Sequence, residues 1–185
     1  MKTLNSHQKI NEIRYNRRAK DETWVRDYLH KVSFGMLATD FEGQPFLKPS
    51  LFVYDESRNA IYIHGALEGR MRSNIDANPR VCFCAAEMGR LLPGDTAMEF
   101  GVEYASVVVF GQIVTIRDED EARYGLQLLL ERYFPHMQPG QDYREIIPEE
   151  LNITAVYRID IQAMSGKETH EAADFPGAFT FPYQK

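Results

Sequence analysis

The sequence is poor in the residues that build special frameworks. It has two cysteines and one tryptophan in 185 residues, which excludes a disulfide-built scaffold. Cys82 and Cys84 stand two apart, so on a strand they share a face with Cα atoms about 6.5–7 Å apart, at the edge of disulfide reach. Two thiols alone also make a poor metal site, and packing in the core is the expectation for both. No apolar run approaches the roughly 20 residues of a membrane helix. The opening Met1-Lys2-Thr3-Leu4-Asn5-Ser6-His7 has no apolar signal core, so a cytoplasmic protein is expected. Familiar catalytic motifs are missing too: there is no Gly-x-Gly-x-x-Gly after a strand, no Walker loop and no Gly-x-Ser-x-Gly elbow. His7, His30, His64, His136 and His170 lie far apart without metal-ligand spacing, and no metal is expected. Basic residues are also in deficit. Twenty-one Lys and Arg against 27 Asp and Glu give a net charge of -6, which argues against nucleic acid or an anionic membrane as the main partner.

What is present is the balance of an ordinary globular domain, 44% hydrophobic and 26% charged. The length suits one domain with a sizeable core. Residues 1–20, with Lys9, Arg14, Arg17, Arg18 and Lys20 but little apolar periodicity, read as an arm that orders only by docking. Its arginines read first as a solvated charge run. Asp21 caps a helix over 21–32 whose Trp24, Val25, Tyr28, Leu29 and Val32 share a face placed over a barrel mouth. Then the period changes. Runs at 34–39, 46–54 and 60–64, separated by Gly-, Asp- and Asn-rich turns, predict an antiparallel meander.

Leu67, Met71 and Ile75 repeat every four residues and predict a short helix ended by Asn78-Pro79. Further strands are expected at 80–87, 99–116 and 151–163, with a loop at 88–97. Gly111, inside a long strand, suggests a bulge or close backbone approach to a ligand. Asp118 opens a helix whose acidic first turn suits its dipole and which stops at Pro135. The tail from Ser165, carrying Phe175, Phe179 and Phe181, is too apolar to float free and is expected to pack on the body or a partner chain. Six strands with few helices predict a mainly β, barrel-like domain, since closure removes exposed edges; a sandwich is the alternative.

The most informative stretch runs from Ile61 to Ile75. A strand ends at His64, Gly65 and Gly69 loosen the turn, and a helix opens with Arg70 and Arg72 in its first turn. Free N–H groups there suit a phosphate, and cations at that end oppose the helix dipole unless an anion is present. A solvated helix face with two arginines is the other reading.

Tyr62-Ile63-His64-Gly65-Ala66-Leu67-Glu68-Gly69-Arg70-Met71, with Asn78-Pro79-Arg80-Val81, resembles the FMN-phosphate segment of the pyridoxamine-phosphate-oxidase-like split barrels. Within that superfamily the chain is similar to the nitroimidazole-resistance proteins, through Met88-Gly89-Arg90-Leu91-Leu92-Pro93, Tyr104 to Gly111, Glu131-Arg132-Tyr133-Phe134-Pro135 and Ser165-Gly166-Lys167-Glu168. The match covers about residues 14–170 in order. The resemblance implies a six-stranded antiparallel split barrel over 21–170, paired as a homodimer with FMN at the subunit interface. It implies that Arg70 and the Met71 backbone hold the FMN phosphate with help from Arg72, and that Lys48 lies beside the flavin. By the same resemblance the backbone of Pro49, Ser50, Leu51 and Val53 lines the ring, and Ile63, His64 and Gly65 form the strand end facing it. Ser106 then stands near phosphate or ring, while Met164 and Lys167 close the site from the second subunit. Met71 replaces a second basic residue and Met164 an aromatic. The tail lacks the Arg-x-His pattern that holds vitamin B6 substrates, so that oxidation is not expected.

The implied activity is flavin-dependent reduction of a small aromatic acceptor, with His64 as the catalytic residue because an imidazole can deliver protons near neutral pH. The plain alternative for His64 is a strand-end histidine bonded to backbone. Two other functions stand beside reduction: a flavin-binding carrier without turnover, and haem binding with His64 or His136 as axial ligand.

Overall fold

A two-residue link decides the architecture. In the computed structural model, which describes residues 9–182, strands β3 (Gln44–Ser50) and β4 (Val53–Asp55) are joined only by Leu51 and Phe52. Yet they stand at opposite ends of the hydrogen-bonded order β3-β2-β6-β7-β8-β5-β4. A sheet whose two ends are two residues apart must curl onto itself, and it does so as a barrel. The remaining strands are β1 (Ala19–Lys20), β2 (Gly35–Phe41), β5 (Ala60–Gly65), β6 (Arg80–Leu92), β7 (Gly101–Thr115) and β8 (Ala155–Thr169), all pairs antiparallel.

All six expected strands form, and the total is eight. The run 46–54 breaks at Leu51-Phe52 into β3 and β4, where Phe52 N–H leaves the ladder and donates to the Tyr133 hydroxyl at 3.1 Å. The two-residue β1 docks part of the N-terminal arm on β8, Ala19 opposite Lys167. Asn11 adds a bond from Nδ2 to the Met164 carbonyl at 2.9 Å. Arg14, Arg17 and Arg18 are exposed, and the segment Met1–His7 lies outside the described residues.

Two strand boundaries need correction. The loop at 88–97 begins later, because β6 continues to Leu92, paired with β7 across a register shift between Met88 and Leu91. Arg90 anchors this extension with a 2.6 Å ion pair to buried Glu103 and bonds to the carbonyls of Glu171, Ala172 and Ala173. The chain after β8 is thus clasped to β6, and Phe179 pairs with Leu91 just beyond. The last strand also shifts: Pro148–Leu151 forms a short helix, so β8 starts at Ala155 and runs to Thr169.

The helices follow the expected chemistry. In α1 (Glu22–Lys31) the Asp21 carboxylate accepts from Trp24 N–H at 2.8 Å, a side-chain N-cap. Its Val25, Tyr28 and Leu29 enter the barrel core, and Trp24 stacks on Tyr28 at 5.0 Å. Helix α2 (Arg70–Ala77) buries Met71, Asn74 and Ile75. Helix α3 (Glu119–Tyr133), capped by Asp118, covers the outer face of β4, β5 and the start of β8. Strand β5 is therefore buried on both faces, Ile61 and Ile63 inward, Ala60 and Tyr62 under α3.

The cysteines do not join the core. On β6 the inward residues are Val81, Phe83 and Ala85, while Cys82 and Cys84 are half-buried on the outer face opposite Phe110 and Val108. The outer neighbours are apolar as well, so alternation alone could not assign the sides. Burial raises both thiol pKa values, which keeps them poor nucleophiles.

Gly111 marks a bulge: Phe110 faces Ala163 but Gly111 faces Ile161, so Gln162 is the extra residue. The close approach there is to neighbouring backbone, since a Cβ on Gly111 would lie 2.3 Å from the Asp160 carbonyl oxygen. Gly111→Ala should therefore destabilise the fold by about 1–3 kcal/mol, the usual cost of overpacking. Urea unfolding checks this; an unchanged midpoint would mean the ladder opens freely to admit the methyl.

Candidate functional site

Barrel closure brings the edge strand β3 against the end of β5. Lys48 pairs with Leu37, a wholly buried interior residue, so its stem shares the interior face. Its ammonium reaches the mouth, where a Cβ on Gly65 would stand 3.7 Å from Lys48 Nζ and 3.0 Å from the Met71 methyl. Tyr157 completes the cluster, its hydroxyl donating to the Ala66 carbonyl at 3.3 Å. Burial pulls the Lys48 pKa below its ordinary value. Its hydrogen-bond partner is the Ser50 hydroxyl at 3.3 Å, and no carboxylate among the described residues pairs with it.

Helix α2 starts at this mouth. Gly69 caps it at φ 116°, a conformation L side chains avoid, with open space where a Cβ would be. The first turn carries neither a capping side chain nor an acidic residue. Arg70 is exposed and likewise unpaired among the described residues. Arg72 is committed elsewhere, bonding both Asp76 carboxylate oxygens through Nε at 2.9 and 2.8 Å. Below, buried Asn74 donates to the Thr39 hydroxyl at 2.9 Å while its Oδ1 has no partner. Two unpaired cations, free helix N–H groups and an uncrowded glycine together fit a phosphate monoester. Arg70 is exposed, as either reading allows, whereas Arg72 is paired within its own helix.

His64 belongs to the other side of the same strand. Its ring shares the outward face with Tyr62 and lines a cleft of about 670 Å³ between β5, the last turns of α3 and residues 143–154. Leu51, named from the sequence as lining the flavin, lines it too, and so do Leu126, Leu130, Tyr133, Phe134, Ile146 and Ile153, none of which was expected at the site. Burial first, then the Lys48 cation, lowers the imidazole pKa, so at pH 7 the ring is neutral. No backbone or side-chain group among the described residues hydrogen-bonds that ring, so the plain structural role expected of a strand-end histidine is not filled.

The other named residues separate. Ile63 is buried in the interior cluster with Met71, Val53 is buried beneath α3, and Pro49 is exposed. Ser106 stands opposite Lys167 on the far part of the β7–β8 ladder, with Met164 three residues closer. His64 faces Val156, eight residues from Met164 and eleven from Lys167 along β8, contours of about 26 and 36 Å. Along β8 Met164 and Lys167 stand well away from the strand end that carries His64. The exposed His136 lies in the turn after α3.

A family model described as pyridoxamine 5'-phosphate oxidase matches residues 21–168. The chain belongs to the pyridoxamine 5'-phosphate oxidase family. Its fold is that family's split barrel, as the residues from Tyr62 to Val81 had suggested by resemblance. Solved structures agree on the fold. A candidate 5-nitroimidazole antibiotic resistance protein from Bacteroides thetaiotaomicron matches with a TM-score of 0.67 at 18% identity, over 80% of this chain and 84% of that one. The flavocytochrome Anf3 from Azotobacter vinelandii gives 0.73 at 22%, over 94% and 84%. A FAD and heme binding protein from Mycobacterium smegmatis gives 0.73 at 19%, over 83% and 74%. No curated protein sequence matches the chain. Among the described residues no helix is long and apolar enough to cross a membrane, and no group of three or more potential metal ligands is present.

In this family member the Lys48 charge opposes protonation of His64. Lys48→Gln should therefore raise the His64 titration midpoint toward the value of a free imidazole, measured by NMR of the ring C–H resonances. A midpoint that stays put would assign the depression to burial alone.

Proposed function

We propose that this protein binds FMN at the Lys48–Arg70 mouth and reduces a small aromatic, nitroimidazole-like acceptor, working as a homodimer. One observation carries the reading: the unpaired cations Lys48 and Arg70 converge on a helix end that has neither cap nor acid. Arg70 and the N–H groups of the α2 first turn would hold the phosphate, and Lys48 would set a positive field beside the cofactor. When bound, the flavin supplies the redox chemistry. The protein's part is to bind, orient and handle protons. Neutral His64 has a free N–H and a free ring nitrogen, so it can place a proton on an acceptor oxygen and recover one from water.

Two features support the homodimer. The outer face of β2, β6 and β7 presents Met36, Ala38, Cys82, Cys84, Val108 and Phe110 in adjoining rows, an apolar surface that suits a second copy. Met164 and Lys167 stand eight and eleven residues along β8 from the partner of His64, a placement that suits service to a second copy.

Titration of the purified protein with FMN should give a bound yellow chromophore. Arg70→Ala should weaken affinity about 10–100-fold, the worth of one charge-assisted contact, and flatten its salt dependence. Unchanged affinity would remove the mouth as the phosphate site. A parallel titration with FAD tests the cofactor choice, since the Mycobacterium smegmatis neighbour is described as binding FAD. His64→Ala then separates enzyme from carrier: FMN retained with turnover lost supports catalysis, whereas absence of turnover in both forms favours a carrier. The heme named for that same neighbour motivates one further arm, a haem titration, in which a Soret band lost in His64→Ala or His136→Ala would favour the haemoprotein alternative.

A further inference from the structure

The cleft that His64 lines is separate from the mouth that Lys48 lines, because consecutive residues of a strand face opposite sides. Gly65 presents the barrel interior to Lys48 and Met71, whereas His64 turns outward beneath α3. The volume of about 670 Å³ lies within the range of small-molecule sites. Its wall is mainly apolar and aromatic, and its polar groups are mostly committed. The Tyr133 hydroxyl accepts from Phe52 N–H and lies within bonding distance of the Ser33 and Phe52 carbonyls. Tyr143 accepts from Gln127 at 3.2 Å. Arg144 is neutralised by Glu150 at 2.7 Å, so the cleft offers no net charge to an ion. The unengaged imidazole of His64, an exposed residue at the cleft, remains together with the Thr154 hydroxyl. An apolar side chain seated there would leave both ring nitrogens dry, whereas a ligand carrying one acceptor atom satisfies the N–H.

From this geometry we infer that the α3 cleft is a binding site for an uncharged, planar aromatic molecule bearing one hydrogen-bond acceptor, such as a nitro or carbonyl oxygen, aimed at His64. The inference rests on the flavin reading for one point, that this molecule is the electron acceptor. Cofactor and acceptor would then approach His64-Gly65 from opposite faces of one strand. Phe134 and Ile153, exposed at 47% and 72%, form part of the cleft wall and can be changed without touching the core.

The test uses Prodan, a neutral naphthalene ketone whose emission shifts to the blue in apolar sites. The intact chain is titrated with and without FMN, and dissociation constants are confirmed by calorimetry. Saturable, blue-shifted binding is expected in both states, weakened at least 10-fold by Ile153→Asp or Phe134→Asp. His64→Ala should weaken it about 5–10-fold, equivalent to one hydrogen bond. Competitive displacement of Prodan by FMN, or affinity untouched by both cleft-wall substitutions, would overturn the inference. The two readings fail separately. Prodan binding without FMN uptake keeps the cleft and removes the flavin, whereas FMN uptake without Prodan binding removes the cleft alone.

Discussion

Everything in this molecule depends on the seam at Leu51-Phe52. Two strands at the ends of a seven-strand order are tied by a link too short to let the sheet stay open. The link cannot complete a ladder, and a hydroxyl from α3 satisfies the Phe52 N–H freed there. Lys48 from one edge strand then meets Gly65 from the strand beside the other edge, which no open sheet would allow. The same α3 that seals the seam through Tyr133 forms the roof of the cleft over His64.

Electrostatics at the mouth are one-sided. Asp76 quenches Arg72, but among the described residues no carboxylate answers Lys48 or Arg70, although the chain as a whole is acidic. Local positive potential within a net charge of -6 steers a small anion toward a place where a large polyanion would be repelled. The His64 imidazole feels that field from the other face of its strand and stays neutral. Burial is the larger cause of that neutrality, and the Lys48 charge adds to it without a hydrogen bond.

Much of this was legible because the chemistry is local. Asp21 and Asp118 announce helix starts, Asn78-Pro79 ends one, and the mouth comes largely from the unbroken stretch 61–75. What stayed hidden is assembled from afar. The seam lies inside the run 46–54, where Lys48, Pro49 and Ser50 precede it but fit an edge strand equally well. Gly89 read as a loop signal, although it sits in a register shift that carries β6 onward beside Glu103. The cysteines were misplaced because both faces of β6 are apolar and burial cannot be told from alternation alone. The α3 cleft draws on Leu51, His64, Leu130 and Ile153, whose proximity no spacing rule encodes.

The Arg90 clasp has one more effect. Strand β2 pairs with β6 only at Cys82 to Cys84, so from Ala86 onward the outer edge of β6 has no strand beside it. Arg90 gathers three successive carbonyls of the tail, and Phe179 then occupies Leu91 with bonds in both directions. The tail thereby caps an open row of backbone donors and acceptors that could otherwise template a strand from a neighbouring molecule. Losing it would expose the protein to edge-to-edge aggregation while leaving the barrel itself intact.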